Sequence, residues 1–214
     1  GPAMTGEEAE RAIITGAELV RELHGKGYGL IGTGEMGIGN TTTSSAVVSV
    51  LLGKEPELVT GRGAGLSSEG LRRKIEAIAT GIAVNEPDKN DPVDVLAKVG
   101  GLDLAGLCGV FLGGAAFKVP VVIDGFISSA AALCAACICP DAADYMIGSH
   151  ASNEPAAAMV LDKLGLRPFL YAGMFLGEGT GAVAVMPLLD MAIAVYREMS
   201  TFDDVSIEAY QPLD

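Results

Sequence analysis

Apolar residues return at helical spacing from the start of the chain. Ala12, Ile13, Ala17, Leu19, Val20 and Leu23 share one face of the run from Thr5 to Lys26, with acids early in it, and this pattern predicts an opening helix. The pattern then changes. A short apolar pair, Leu30 and Ile31, runs into Gly32, Gly34, Gly37 and Gly39 and on into TTTSSAVVSVLL, predicting a strand, a tight turn and a helix from about Asn40 to Leu52. Pro56 and a short strand around Leu58-Val59 follow. A second glycine turn, TGRGAGLSSEG, leads into a helix that Ser67 or Ser68 can cap and that carries Glu69, Arg72, Arg73 and Lys74. Asn85 to Pro92 is polar and reads as a loop.

The second half repeats the alternation. Helices are predicted over DPVDVLAKVG and from about Asp103 to Phe117. The β-branched run Val119 to Ile123 reads as a strand that ends in Asp124-Gly125, ahead of a helix from about Ser128 to Cys139. Further strands are expected at Asp144 to Ile147 and Arg167 to Ala172, separated by the loop 148–153 and a helix with Pro155 in its first turn. A third glycine turn, LGEGTGA at 176–182, opens a long helix to about Met199, and the acidic tail TFDDVSIEAYQPLD closes the chain. Strands and helices thus alternate, with acids or glycines at the strand ends. The fold class this implies is α/β, a three-layer, doubly wound, mostly parallel, Rossmann-like sheet with its ligand crevice at the carboxyl edge.

Composition narrows the picture. With 50% hydrophobic residues and 29 glycines but only 5% aromatics, the chain suits layers that approach closely through small residues. A net charge of −13 argues against nucleic acid or an anionic membrane as partner. The apolar run from Gly101 is interrupted by Asp103 and Lys118, and the one after Pro120 carries Asp124, so both are expected in a protein core and not in lipid. Gly1-Pro2-Ala3-Met4 reads as the scar of a cleaved tag, leaving one domain over 5–214. Cys108, Cys134, Cys137 and Cys139 lie in apolar sequence with no histidine close by, which favours buried thiols of a cytoplasmic protein over a metal site.

The candidate chemistry sits in the turns. Gly32, Gly34 and Gly37 have G-x-G-x-x-G spacing, and Gly34 to Thr41 has Walker spacing with Asn40 in place of the lysine. Glycines let backbone N–H groups close on a phosphate, and the following helix N-terminus points at the same place. Glu35 within the turn would repel a phosphate unless it faces something else, which suggests a nucleotide or sugar phosphate with a cationic or proton-bearing end. A ligand-free turn is the alternative. Arg62 and Lys74 are the cations nearest to glycine turns, or part of a solvated face. Asp124 is placed either for function or to cap the next helix, and His150 reads as a hydrogen-bonded loop residue. Glu35 and Glu178 both fall in glycine turns at one sheet edge. Shielding there would favour proton abstraction; two acids could also flank a glycosidic bond, or Asp124 and a phosphate could hold Mg²⁺.

Five segments in order, GEMGIGNTTTSSA, TGRGAGL, VPVVIDGF, GSHASNEP and LGEGTGA, resemble the nicotinate-nucleotide–dimethylbenzimidazole phosphoribosyltransferase family. The resemblance implies attack of a benzimidazole nitrogen on the ribose C1′ of nicotinate mononucleotide, with nicotinate leaving and an α-riboside 5′-phosphate formed for the lower ligand of cobalamin. It implies Glu178 as general base and Glu35 as an assistant to charge at the reacting ends. Met36, Gly37, Gly65, Lys74, Asp124, Gly125, Ser152 and Leu176 would line the substrate site, with Lys74 as the phosphate cation. No metal or other cofactor is implied, and a homodimer is. The family carries a further N-terminal region absent from this sequence, so the nucleotide site is expected to be kept and the base pocket to be incomplete. A non-catalytic mononucleotide-binding module is the alternative from another class.

Overall fold

The computed structural model describes residues 1–208 and 211; the end of the acidic tail, 209–210 and 212–214, lies outside the described residues. Helix α1 (Gly6–Gly25) begins at a capping box in which Thr5 and Glu8 exchange bonds. Next come β1 (Ile31–Gly32), α2 (Asn40–Leu52), α3 (Pro56–Val59), α4 (Ser68–Asn85), α5 (Pro92–Val99) and α6 (Leu102–Phe117). The chain continues through β2 (Val121–Ile123), α7 (Phe126–Ile138), a 3₁₀ turn (Pro140–Tyr145), β3 (Met146–Gly148), α8 (Ala157–Lys163) and α9 (Thr180–Glu198).

The three strands form one parallel sheet in the order β1-β2-β3, with Ile31 opposite Val121 and Val121 opposite Met146. Side chains alternate across a strand, and the core divides accordingly. Val121 and Ile123 join a large cluster with residues of α2, α6 and α7, whereas Val122 packs with Ala182 and Val185 of α9. Helices therefore cover both faces and the architecture has three layers. Glycines in helices make the layers thin: a side chain at Gly109 of α6 would collide with the Ile13 carbonyl of α1, and one at Gly113 would lie 2.9 Å from Ala17 Cα.

Several expectations change. The residues expected to form a strand at Leu58-Val59 form the single turn α3, because Pro56 pre-sets a helical φ at its start and no strand lies alongside to pair with among the described residues. The strand expected at Arg167 to Ala172 shrinks to one parallel bridge between Leu170 and His150, flanked by Pro168, which has no N–H to give a ladder. Tyr145 coils in the 3₁₀ turn, so β3 starts at Met146, and Pro155 precedes α8 instead of opening it. The first apolar run becomes α6 and the second becomes β2 and α7, with Leu104, Phe111 and Leu133 fully buried. Among the described residues, α9 is long and apolar enough to cross a membrane by length and composition, and it exposes Val183, Met191, Val195 and Tyr196.

Candidate functional site

All three strands run the same way, so their carboxyl ends and the loops after them gather at one edge. The first and third glycine turns touch there: a Cβ at Gly34 would lie 2.6 Å from the Gly179 nitrogen. That contact requires glycine, and it sets Glu35 and Glu178 on neighbouring loops, as expected. Glu178 has a left-handed φ of +58° between Gly177 (+77°) and Gly179 (+80°). A glutamate in this conformation costs about 1–2 kcal/mol, so the turn aims the side chain at the expense of backbone ease. The G-E-G sequence hints at this only through its flanking glycines.

The end of β2 supplies the anchor. Asp124 Oδ2 accepts from the Gly179 N–H at 3.0 Å, and Oδ1 accepts from Gly181 at 2.7 Å and Ala182 at 3.2 Å. Of the two placements open to Asp124, for function or as cap of the next helix, the cap goes not to α7, which starts at Gly125 with no side-chain cap, but to α9. Three of the roughly four acceptor sites of the carboxylate are thus taken by the start of α9. Thr33, which the motif reading passes over, ties β1 to β2 by donating from Oγ1 to the Val122 carbonyl at 2.8 Å. His150 is buried and hydrogen-bonded, in keeping with its reading. The Ser149 hydroxyl gives its one proton to the Asp124 carbonyl (3.0 Å), so it accepts from His150 Nδ1–H, also at 3.0 Å. Burial holds the His150 pKa below the ordinary imidazole value, with Asp124 opposing.

Helix α2 is different. It follows left-handed Gly39 with no side-chain cap, and Asn40 is its first helical residue, as expected. The Asn40 amide instead donates to Glu35, whose carboxylate also accepts from the Gly37 N–H at 2.8 Å, and to Asp103 at 2.9 Å. The charge that looks misplaced in a phosphate turn is thus turned onto the loop's own donors. One residue further on, the Thr41 hydroxyl accepts from Lys74 Nζ at 2.8 Å, and the Gly61 carbonyl accepts at 3.0 Å. Lys74 is only 7% exposed; burial pushes its pKa down and Glu154 opposes this. Arg72 and Arg73 on the same helix face outward to Glu69 and Glu76, so the helix is both a solvated face and a source of one inward cation. Arg62 bonds its own turn at Leu66 O and Ser68 Oγ.

Glycines clear the space around Lys74. Gly63 has φ +54°, and a side chain there would meet Thr41 Oγ1 at 2.8 Å and Lys74 Nζ at 3.6 Å. Gly65 follows at φ +101° with open space beyond its Cα. Ser152 accepts from the Glu154 N–H at 3.4 Å, and one Glu154 oxygen is buried beside Gly61 without a partner among the described residues. Thr41 and Glu154 escape a reading of the sequence because their roles depend on Lys74 and Gly61, residues far from them in the chain.

Shielding of the acids is not met: Glu178 is exposed and Glu35 half-buried, because glycine turns bring no side chains to cover them. Their companions are apolar and equally exposed. Met36 and Leu176, which the resemblance implies at the site, share the two turns with exposed Ile38 and Phe175. Two clefts of 460 and 470 Å³ lie elsewhere, lined by residues such as Leu133, Cys137 and Lys163 or Leu112, Cys139 and Tyr145. Cys108 and Cys134 are buried free thiols, with burial pushing the Cys108 pKa up to about 12; Cys137 is exposed and Cys139 half-buried, so the four are not uniformly core residues.

The profile of a phosphoribosyltransferase family matches residues 1–207. A protein of Ruminiclostridium cellulolyticum named nicotinate-nucleotide–dimethylbenzimidazole phosphoribosyltransferase is 53% identical over 214 residues, covering 100% of this chain and 61% of the relative. One of the same name from Acetivibrio thermocellus is 53% identical over 99% of this chain and 60% of its own length. The crystal structure of CobT from Thermus thermophilus superposes with a TM-score of 0.91 at 45% identity, covering 97% of this chain and 62% of that one. The chain therefore spans about 60% of the length of the relatives it matches.

Proposed function

The chain belongs to this phosphoribosyltransferase family, and from that premise we propose that it carries the catalytic large domain, over residues 5–214, of an enzyme that moves the phosphoribosyl group of nicotinate mononucleotide onto 5,6-dimethylbenzimidazole. The observation that carries the reading is the contact of Gly34 with Gly179, which puts two acids and an apolar fringe on adjoining loops beside the uncapped start of α2. Each end of the substrate then has a counterpart. The phosphate goes to Lys74 and the α2 N–H groups, where a charge-assisted bond and the helix dipole act together, with Gly65 and Ser152 alongside. The pyridinium charge goes toward Glu35. The flat base lies against Met36, Gly37, Gly125 and Leu176.

The chemistry is a single displacement. A benzimidazole nitrogen forms a bond to C1′ as the C1′–nicotinate bond breaks, and the leaving nicotinate takes the electron pair. Attack opposite the leaving group gives the α link. Glu178 takes the proton from the other benzimidazole nitrogen, so the product, α-ribazole 5′-phosphate, leaves neutral at the ring. No metal or other cofactor enters. The open side of the site, where Glu178 is exposed, is the side on which the part of the relatives beyond this chain's span would complete the base pocket. We place the enzyme in the cytoplasm, acting on small molecules, with the exposed apolar side of α9 covered in a homodimer; a monomer by light scattering on the full-length protein would refute the dimer.

Calorimetric titration with nicotinate mononucleotide and an assay for α-ribazole phosphate test the reading. Lys74→Ala is expected to weaken mononucleotide binding about 10–100-fold, the value of a charged hydrogen bond. Glu178→Ala is expected to leave that binding in place and lower turnover about 10²–10⁴-fold in the full-length protein. Binding without turnover in the full-length protein would instead identify a mononucleotide-binding module, and absence of binding would remove the reading of these turns.

A further inference from the structure

We propose that Asp124 is a positioning residue for Glu178 and not a ligand of the substrate, an inference that rests on Glu178 being the general base. Asp124 is buried, and its carboxylate accepts three backbone N–H groups, from Gly179, Gly181 and Ala182. All three donors lie on the segment directly after Glu178. Residues 177, 178 and 179 are three successive left-handed residues, a conformation that a glutamate leaves unless its flanks are held. Asp124 holds one flank.

The anchor is itself fixed on both sides. Its N–H donates to Thr33 Oγ1 at 3.3 Å at the end of β1, and its carbonyl accepts from Ser149 Oγ at 3.0 Å at the end of β3. Behind the turn, a side chain at Gly181 would collide with the His150 ring and lie 2.9 Å from Asp124 Oδ1. The ends of all three strands therefore converge on one brace, and the brace reaches Gly179, the residue directly after Glu178. A negative charge is the right occupant for this place, since the first turn of the 19-residue α9 presents free N–H groups and the positive end of its dipole. With the carboxylate turned to these donors, substrate recognition falls to other groups.

The test is a double-mutant cycle in the full-length protein, with turnover and the KM for nicotinate mononucleotide measured for Asp124→Asn, Glu178→Gln and the pair. Asparagine sets an NH₂ donor against one of the backbone donors and releases the turn. Asp124→Asn is expected to lower kcat about 10–100-fold, the scale of an ångström-sized misplacement of a catalytic group, with KM changed less than about threefold. Added to Glu178→Gln it is expected to cost nothing further, because Asp124 acts only through Glu178. A KM raised about tenfold with kcat kept would make Asp124 a substrate ligand and overturn the proposal, as would losses that multiply in the double variant. Turnover that survives Glu178→Gln alone removes the general-base reading, and the brace with it, and is recognised from that single variant. If Asp124→Asn lacks a cooperative unfolding transition, Asp124→Ser, which keeps one acceptor for the turn, goes through the same cycle with the same criteria.

Discussion

Glycine serves opposite ends in two regions of this molecule. Between α1 and α6 it removes side chains so that two regular helices touch backbone to backbone: Gly109 against Ile13, Gly113 against Ala17, and Gly16, where a Cβ would lie 2.8 Å from the Val110 nitrogen. Nothing there is strained, and the helices keep ordinary geometry. At the carboxyl edge of the sheet, glycine permits left-handed angles at 39, 63, 65, 177 and 179 and carries Glu178 into the same region. The first use makes a dense layer; the second makes exposed, aimed loops. A high glycine count therefore says little until each glycine is assigned to packing or to conformation.

The same substitution separates the two uses. Gly34→Ala pushes on the backbone of Gly179 and should part the two turns, lowering turnover about 100-fold or more while the unfolding midpoint moves little. An unchanged turnover would show that the contact of the turns is incidental. Gly109→Ala should do the reverse. Overpacking against the Ile13 carbonyl costs about 1–3 kcal/mol, partly offset by about 1 kcal/mol of helix propensity, so the net loss falls on stability and is read by thermal unfolding. Gly106→Ala, with nothing within 4 Å of the added carbon, is the control and should be neutral or stabilising.

The smallest effect concerns pH. His150 is buried beside Gly181 with its pKa lowered from 6.5, so above that value it is neutral in both folded and unfolded chains and its contribution is complete. As pH falls through 6.5 the unfolded chain takes up a proton that the folded one resists, and stability declines. His150→Gln should therefore flatten the dependence of the unfolding midpoint on pH below about 6.5; an unchanged slope would mean that His150 is free to protonate in the fold.

The legible part is local. Helical periodicity locates α1, a serine cap opens α4 and a glycine turn opens α9, each to within a few residues, and the glycine-acid turns mark the carboxyl edge because φ preference is a property of one residue and its neighbours. Lys74 and Arg72 lie close together on the same helix, and nothing in their spacing tells which turns inward. Glu178 looks shielded because glycine turns are tight, yet tightness of a loop does not supply the side chains that would cover it.

By itself, then, the sequence determined the three paired strands and most of the helices, the glycine turns and the set of acids and cations placed in them. Tertiary structure alone decided which group each one meets. Asp124 caps a helix that begins more than fifty positions later, Asn40 and the Gly37 N–H hold Glu35 against its own turn, and Lys74 is buried against Thr41 with its pKa lowered. The physical reason is range. Backbone preference acts over a few residues, whereas the partner of a buried charge is whatever the packed layers bring within about 3 Å, and that is set by the whole core at once.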